Sequence, residues 1–123
     1  MSQWFALLYR LKPGSEQAVT EAFKRAGRPD HDVRDDTGEV IGRLLTTLVF
    51  MGEGACVRVI EVDGDIQKVA RHMARQEEVK EFETEIEEHL AVPRDMKSPD
   101  GAQEFFRTAG MRNIVHRRHD EPL

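Results

Sequence analysis

Charged and titratable side chains interrupt the most apolar stretches of this 123-residue sequence. Arg43 and Arg58 each fall inside a run of β-branched and leucine residues, and His72 directly precedes the apolar residue Met73. A charged group on a core-forming element is costly to bury unless it is paired. Guanidinium groups bind anions, and a histidine exchanges protons near neutral pH. We therefore take Arg43, Arg58 and His72 as candidate catalytic residues for proton transfer next to an oxyanion.

Each candidate also has a structural explanation that the sequence leaves open. An ion pair at a sheet edge accounts for Arg43, and a solvated helix surface accounts for His72. Side chains alternate between the two faces of a strand, so Arg58 and Glu61 cannot both face one cavity unless the strand is bulged. One of these two residues is therefore expected to be structural.

The elements that must position these residues follow from periodicity and turn signals. Apolar runs predict strands over 3–11, 40–51 and 55–62, and the glycines at 52 and 54 join the last two as a hairpin. Apolar residues at helical spacing predict helices between Ser15 and Gly27, from Asp65 to a break near Gln76, and from there to Leu90. Segments 28–38 and 93–101 are predicted loops, and 105–115 is predicted as a strand or as a short helix followed by a strand.

The order β-α-β-β-α-β is the ferredoxin-like arrangement, an α+β fold in which an antiparallel sheet carries its helices on one face. We expect a single domain over 1–123, with a loosely ordered tail at 116–123. The first two strands are apolar on both faces, so the uncovered face forms a large apolar patch, which is typical of an interface. We therefore predict a homodimer of the dimeric α/β-barrel type, with two sheets packed face to face. The alternative is that the long second strand curls and the sheet closes on its own tail.

Composition argues against several classes of function. A net charge of −5 and an isoelectric point near 5.5 do not suit nucleic-acid binding. No apolar run approaches the roughly 18 residues of a membrane span. The single cysteine, Cys56, is interpreted as a small core residue and fits a reducing compartment, so we expect a cytoplasmic protein with no membrane partner. No recognised metal-ligand spacing, phosphate-binding glycine loop or GxSxG motif occurs, so we predict no metal and no cofactor.

Five segments resemble, in the same order, the SchA/CurD-like family of small proteins associated with aromatic (type II) polyketide and spore-pigment biosynthesis. They are GRLLTTLVF (42–50), VRVIEV (57–62), VARHMARQ (69–76), PRD (93–95) and FFRTAGMR (105–112). The architecture is more distantly similar to ferredoxin-like polyketide cyclases and to antibiotic-biosynthesis monooxygenases. The resemblance implies an aromatic polyketide intermediate as the ligand and other components of the polyketide synthase as further partners.

The resemblance leaves three classes of function. The first is a cofactor-independent cyclase or aromatase, in which His72 removes a proton from an activated methylene and Arg43 or Arg58 holds the enolate. The second is a cofactor-independent anthrone-type monooxygenase. The third is a non-catalytic assembly partner of the synthase. The residues predicted to contact the substrate are Glu61, Met73, Phe82, Phe105, Arg112 and His31.

Overall fold

The computed structural model describes residues 2–96 and 98–120 and has five strands and four helices there. In chain order these elements are β1 (Ser2–Arg10), α1 (Glu16–Arg25), β2 (Asp32–Arg34), β3 (Val40–Met51), β4 (Ala55–Gly64), α2 (Ile66–Ala74), α3 (Glu77–Glu87), α4 (Pro99–Ala109) and β5 (Met111–Arg112). All strands pair in the antiparallel sense, in the order β2-β3-β4-β1-β5. The predicted α+β class with an antiparallel sheet is therefore confirmed.

The element order is longer than the predicted βαββαβ. Strand β2 pairs with β3 at one edge of the sheet, and α3 and α4 stand between α2 and β5. Apart from these additions, the arrangement is consistent with a ferredoxin-like fold. The sequence predicts a loop over 28–38 because a three-residue strand with one apolar residue, Val33, is too short to show a period.

Helix α4 begins earlier than the sequence predicts. Residues 93–101 are a predicted loop, yet the helix starts at Pro99, and the Ser98 hydroxyl accepts a hydrogen bond from the Gly101 N–H at 3.0 Å. Asp95 in turn accepts a hydrogen bond from the Ser98 hydroxyl at 2.7 Å. A serine cap followed by proline is a helix-start signal. The segment was predicted as a loop because its prolines and glycine are also typical of loops. In the predicted loose tail, residues 116–118 have neither helix nor strand, and residues 121–123 lie outside the described residues.

Strand alternation directs one set of side chains toward the helices. Leu7 of β1 and Ile60 and Val62 of β4 are 0–2% exposed and lie in the core clusters to which α1, α2 and α3 contribute. Gly64 allows the close approach of β3 at the end of β4, because its φ is +90° and a Cβ there would lie 2.5 Å from the Ile41 carbonyl oxygen. The end of β4 thus stays packed against β3 just before helix α2 begins at Ile66.

The other face of the sheet is apolar at its centre, and none of the helices in the described residues covers it. Its two central rows are Leu8–Val57–Phe50 and Ala6–Val59–Leu48, each running across β1, β4 and β3. Leu8, Leu48 and Phe50 are 37%, 42% and 60% exposed. We call these two rows the open face. The prediction that β1 and β3 are apolar on both faces is thus confirmed.

Candidate functional site

A cavity of about 330 Å³ lies between the sheet and helices α1, α2 and α3. Its walls are mostly apolar, and the segment after α1 forms its exposed rim. The wall residues include Phe23, Leu44, Thr47, Val49, Met73, Val79 and Phe82, and the rim residues are Ala26, Gly27, Arg28, Pro29 and His31. We call this space the inner cavity. Its size falls in the usual range for small-molecule sites, about 300–1,000 Å³.

Arg58 is the charged residue of β4 that faces the inner cavity. It lies between the core residues Cys56 and Ile60 on the helix-facing side of the strand, and it lines the cavity. Glu61 points to the opposite face, where it accepts hydrogen bonds from Ser2 at 2.7 Å and Thr46 at 2.8 Å. These two bonds hold the pKa of Glu61 below its usual range. The alternation of the strand therefore separates the two residues as the sequence predicts.

Glu83 of α3 also lines the inner cavity, and it forms a buried ion pair with Arg94. The Arg94 Nη2 to Glu83 Oε2 distance is 2.9 Å, and the two side chains are 10% and 3% exposed. The Arg94 guanidinium lies 4.5 Å from the ring centroid of Tyr9 and 5.0 Å from that of Phe105. Two cation–π contacts thus accompany the ion pair.

We call Arg58, Glu83, Arg94 and Tyr9 the charge cluster. Burial raises the pKa of Glu83, although the charges of Arg94 and Arg58 act to lower it. Burial alone would lower the pKa of Arg58, but Tyr9 and Glu83 outweigh it, so that pKa is raised. Within the cluster, four polar atoms are buried with no hydrogen-bond partner among the described residues: Tyr9 Oη, Arg58 Nε, Glu83 Oε1 and Arg94 Nε. The cluster therefore has unused hydrogen-bonding capacity.

The two predicted catalytic residues other than Arg58 do not line the inner cavity. His72 Nε2 lies 3.0 Å from the carbonyl oxygen of Asp30, so the ring is bound to the loop that carries the rim. Arg43 is at the sheet edge with a 45% exposed side chain, where its Nε donates to Asp32 at 2.7 Å. This hydrogen bond lowers the pKa of Asp32. Arg43 thus has the ion pair that the sequence left as its alternative, whereas His72 is bound to the loop and not the solvated surface histidine of its alternative.

The predicted substrate-contacting residues divide between several places. Met73, Phe82 and His31 line the inner cavity together with Arg58. Phe105 packs against Arg94 and lines a different pocket, and Arg112 is exposed on β5, beside a third pocket that Glu61 also borders. Cys56 is a buried core residue, as predicted, and burial raises the pKa of its thiol.

Sequence reasoning missed Glu83 and Arg94. Glu83 belongs to a glutamate-rich run that is typical of a solvated helix face. Its buried position could nevertheless be predicted from the sequence. Positions 79, 82, 83 and 86 share one face of a helix, and 79, 82 and 86 are apolar. Arg94 lies in a segment without periodicity, so only the resemblance marked it, within the PRD motif.

Across residues 2–96 and 98–120, no group of three or more His, Cys, Asp or Glu side chains could hold a metal ion. None of the helices in those ranges has both the length and the apolar character needed to cross a membrane.

Comparison with known proteins gives one family and three relatives. The family model described as "SchA/CurD like domain" matches residues 2–119. The chain is 40% identical over 111 residues to "Polyketide synthase CurD" of Streptomyces cyaneus, covering 90% of this chain and 29% of that protein. It is 35% identical over 111 residues to a "42.8 kDa protein in whiE locus" of Streptomyces coelicolor and to "Protein SchA" of Streptomyces halstedii, covering 90% of this chain and 27% and 28% of those proteins. The chain thus spans less than a third of the length of these relatives. No solved structure matches.

Proposed function

The chain belongs to the SchA/CurD-like family, and from this membership we propose that it acts on an aromatic polyketide intermediate. The relative from Streptomyces cyaneus carries the name polyketide synthase. The activity that the geometry supports best is that of a cofactor-independent cyclase or aromatase. One observation carries this proposal: Arg58 and Glu83 stand together at the wall of an otherwise largely apolar cavity of about 330 Å³.

The reaction proposed is an intramolecular aldol closure. The Glu83 carboxylate takes a proton from a methylene between two keto groups, and its raised pKa makes it a better base than an ordinary glutamate. Arg58 stabilises the enolate oxygen that forms. The enolate carbon then bonds to a second carbonyl carbon of the same chain, and the resulting alkoxide takes the proton from Glu83. Loss of one water molecule gives the unsaturated ring.

The remaining cavity residues have supporting roles in this proposal. Apolar walls such as Phe82 and Met73 exclude water and pack against the polyketide, which strengthens the electrostatic contacts to Arg58. His31 contacts the substrate at the rim. His72 holds the rim loop through Asp30, and the base role predicted for it passes to Glu83.

Two other functions are compatible with this structure, and the experiment below must separate them from the cyclase. An anthrone-type monooxygenase would use Glu83 to take the proton from the anthrone and Arg58 to hold the enolate, which reacts with dioxygen so that one oxygen atom becomes a quinone carbonyl and the other leaves as water. A non-catalytic assembly partner of the synthase would need only the open face and the charged helices. The assembly role comes last because it uses neither Arg58 nor Glu83, and dependence on oxygen separates the other two activities.

The test is turnover of a linear poly-β-ketone and of an anthrone under air and under nitrogen, with products identified by mass spectrometry. We expect cyclised product from the poly-β-ketone at equal rates under both gases. Oxygen uptake with a quinone product would select the monooxygenase instead. An unchanged product and rate with every intermediate would leave the assembly role.

Two arginine variants locate the chemistry. Arg58→Leu should lower the rate by about 10²–10³-fold, the usual cost of removing one oxyanion donor. Arg43→Leu removes a guanidinium of the same kind from the sheet edge and should leave the rate nearly unchanged. Equal losses in both variants, or loss of folding in Arg58→Leu, would contradict the assignment of Arg58 to the substrate.

We also propose that the chain forms a homodimer through the open face. The two rows of that face contain six apolar side chains and no charged one, so two copies can meet there without like-charge repulsion. Elsewhere the chain is strongly charged, with a net charge of −5. A symmetric contact between identical faces is the commonest way in which such a surface is covered.

A further inference from the structure

A second pocket, of about 510 Å³, borders the charge cluster from the side of Tyr9 and Arg94. It lies between the end of β1, the segment after α3, and helix α4. Leu90, Val92 and Phe105 provide apolar walls. We call it the Arg94 pocket. Among the residues that the structure describes, it shares none of its lining with the inner cavity, so it is a separate space.

The charge cluster has one carboxylate for two guanidinium groups. Glu83 neutralises Arg94 directly at 2.9 Å, and Arg58, on the side of the inner cavity, adds a positive charge that the cluster itself does not balance. Glu87, the other acid that acts on Glu83, is exposed one turn further along α3. A desolvated cation is costly without an anion. The interior between the two cavities is therefore suited to an anionic ligand.

The Arg94 pocket contains a guanidinium group and two aromatic rings that could contact such an anion. The Arg94 guanidinium stacks over the rings of Tyr9 and Phe105, whose centroids are 6.4 Å apart, and its Nε is without a hydrogen-bond partner in the described residues. The acids at the pocket are engaged elsewhere: Asp95 accepts a hydrogen bond from Ser98, and Glu104 accepts two from Arg107. A guanidinium edge pairs with a carboxylate, and aromatic walls pack against a flat ring.

We propose that the Arg94 pocket binds a planar aromatic carboxylic acid, with its carboxylate directed to Arg94 and its rings against Phe105 and Leu90. The site is distinct from the inner cavity and does not depend on the reaction proposed there. Its volume accommodates a ligand of two or three fused rings, within the range of about 300–1,000 Å³ for small-molecule sites.

The experiment titrates the whole chain with 2-naphthoate and, for comparison, with the neutral 2-naphthamide, by isothermal calorimetry. Thr108→Trp fills the Arg94 pocket from the exposed face of α4 and leaves every residue of the charge cluster unchanged. Thr84→Trp is its matched control, because both threonines are exposed helix residues whose hydroxyls donate to the carbonyl four residues earlier at 2.9 Å. Ala26→Trp fills the rim of the inner cavity instead.

We expect 2-naphthoate to bind at a single site and 2-naphthamide to bind at least about tenfold more weakly, since the charge-assisted bonds are lost. Thr108→Trp should weaken 2-naphthoate binding by about tenfold or more, whereas Thr84→Trp and Ala26→Trp should leave it unchanged. Loss of binding in Ala26→Trp alone would move the ligand to the inner cavity. Equal binding of acid and amide, binding that no variant weakens, or no binding at all would each overturn the proposal.

Discussion

The Glu83–Arg94 ion pair is almost out of solvent, so a single variant leaves one charge buried without its partner. We therefore expect each single variant to lose more than half of the unfolding free energy that the double variant loses. The two side chains are 3% and 10% exposed, and the N–O distance is 2.9 Å. Arg94→Leu leaves a carboxyl group in the interior, and we expect it to lower the free energy of unfolding by about 3–5 kcal/mol. Glu83→Leu leaves the guanidinium groups of Arg94 and Arg58 without their carboxylate and should have a similar cost.

The double variant replaces both charges with apolar side chains, so its cost should be less than the sum of the single changes. We expect a coupling free energy of about 1–3 kcal/mol. A domain of this kind has a total stability of about 5–15 kcal/mol, so losses of this size are a large and measurable fraction of it. The wild-type chain, the two single variants and the double variant form a double-mutant cycle. Urea unfolding followed by circular dichroism, at one fixed protein concentration, measures the free energy of unfolding of each.

Arg107 and Glu104 supply the matched control. They form an i,i+3 ion pair with an N–O distance of 2.6 Å, but their side chains are 63% and 61% exposed. We expect no measurable coupling between them, because water screens both charges. A Glu83–Arg94 coupling no larger than that of the control would refute the reasoning, since the pair would then be solvated.

Three further predictions test the charge cluster, the rim and the open face. Because burial raises the pKa of Glu83, the folded chain holds that proton more tightly than the unfolded chain does. Stability should therefore fall as the pH rises from the usual glutamate pKa through the raised value, and Glu83→Gln should remove this slope in urea titrations at several pH values. His72→Gln should lower turnover only slightly, since glutamine can still donate to the Asp30 carbonyl; a loss of about 10²-fold or more would return the base role to His72. Phe50→Asp places a charge on the open face and should convert a dimer to a monomer of 14.1 kDa in sedimentation, whereas a wild-type chain that is already monomeric contradicts the dimer.

Sequence alone was enough for the features that depend on local periodicity. The observed strand β3 has the predicted bounds, Val40–Met51, because a long β-branched run favours the extended backbone over its whole length. Arg58 and Glu61 lie on opposite faces of β4 because successive side chains of a strand alternate. The core position of Cys56 follows from the same alternation.

Tertiary structure decided which charged residues reach the interior and which stay at the surface. Glu83 lies on the apolar face of α3, but only the docking of α3 onto the sheet brings it to Arg94, which comes from the segment after that helix. Arg43 lies at the edge of the sheet because Asp32 meets it from a strand too short to predict. A buried charge is stable only beside its partner, and partners distant in sequence meet only when the helices and strands pack together.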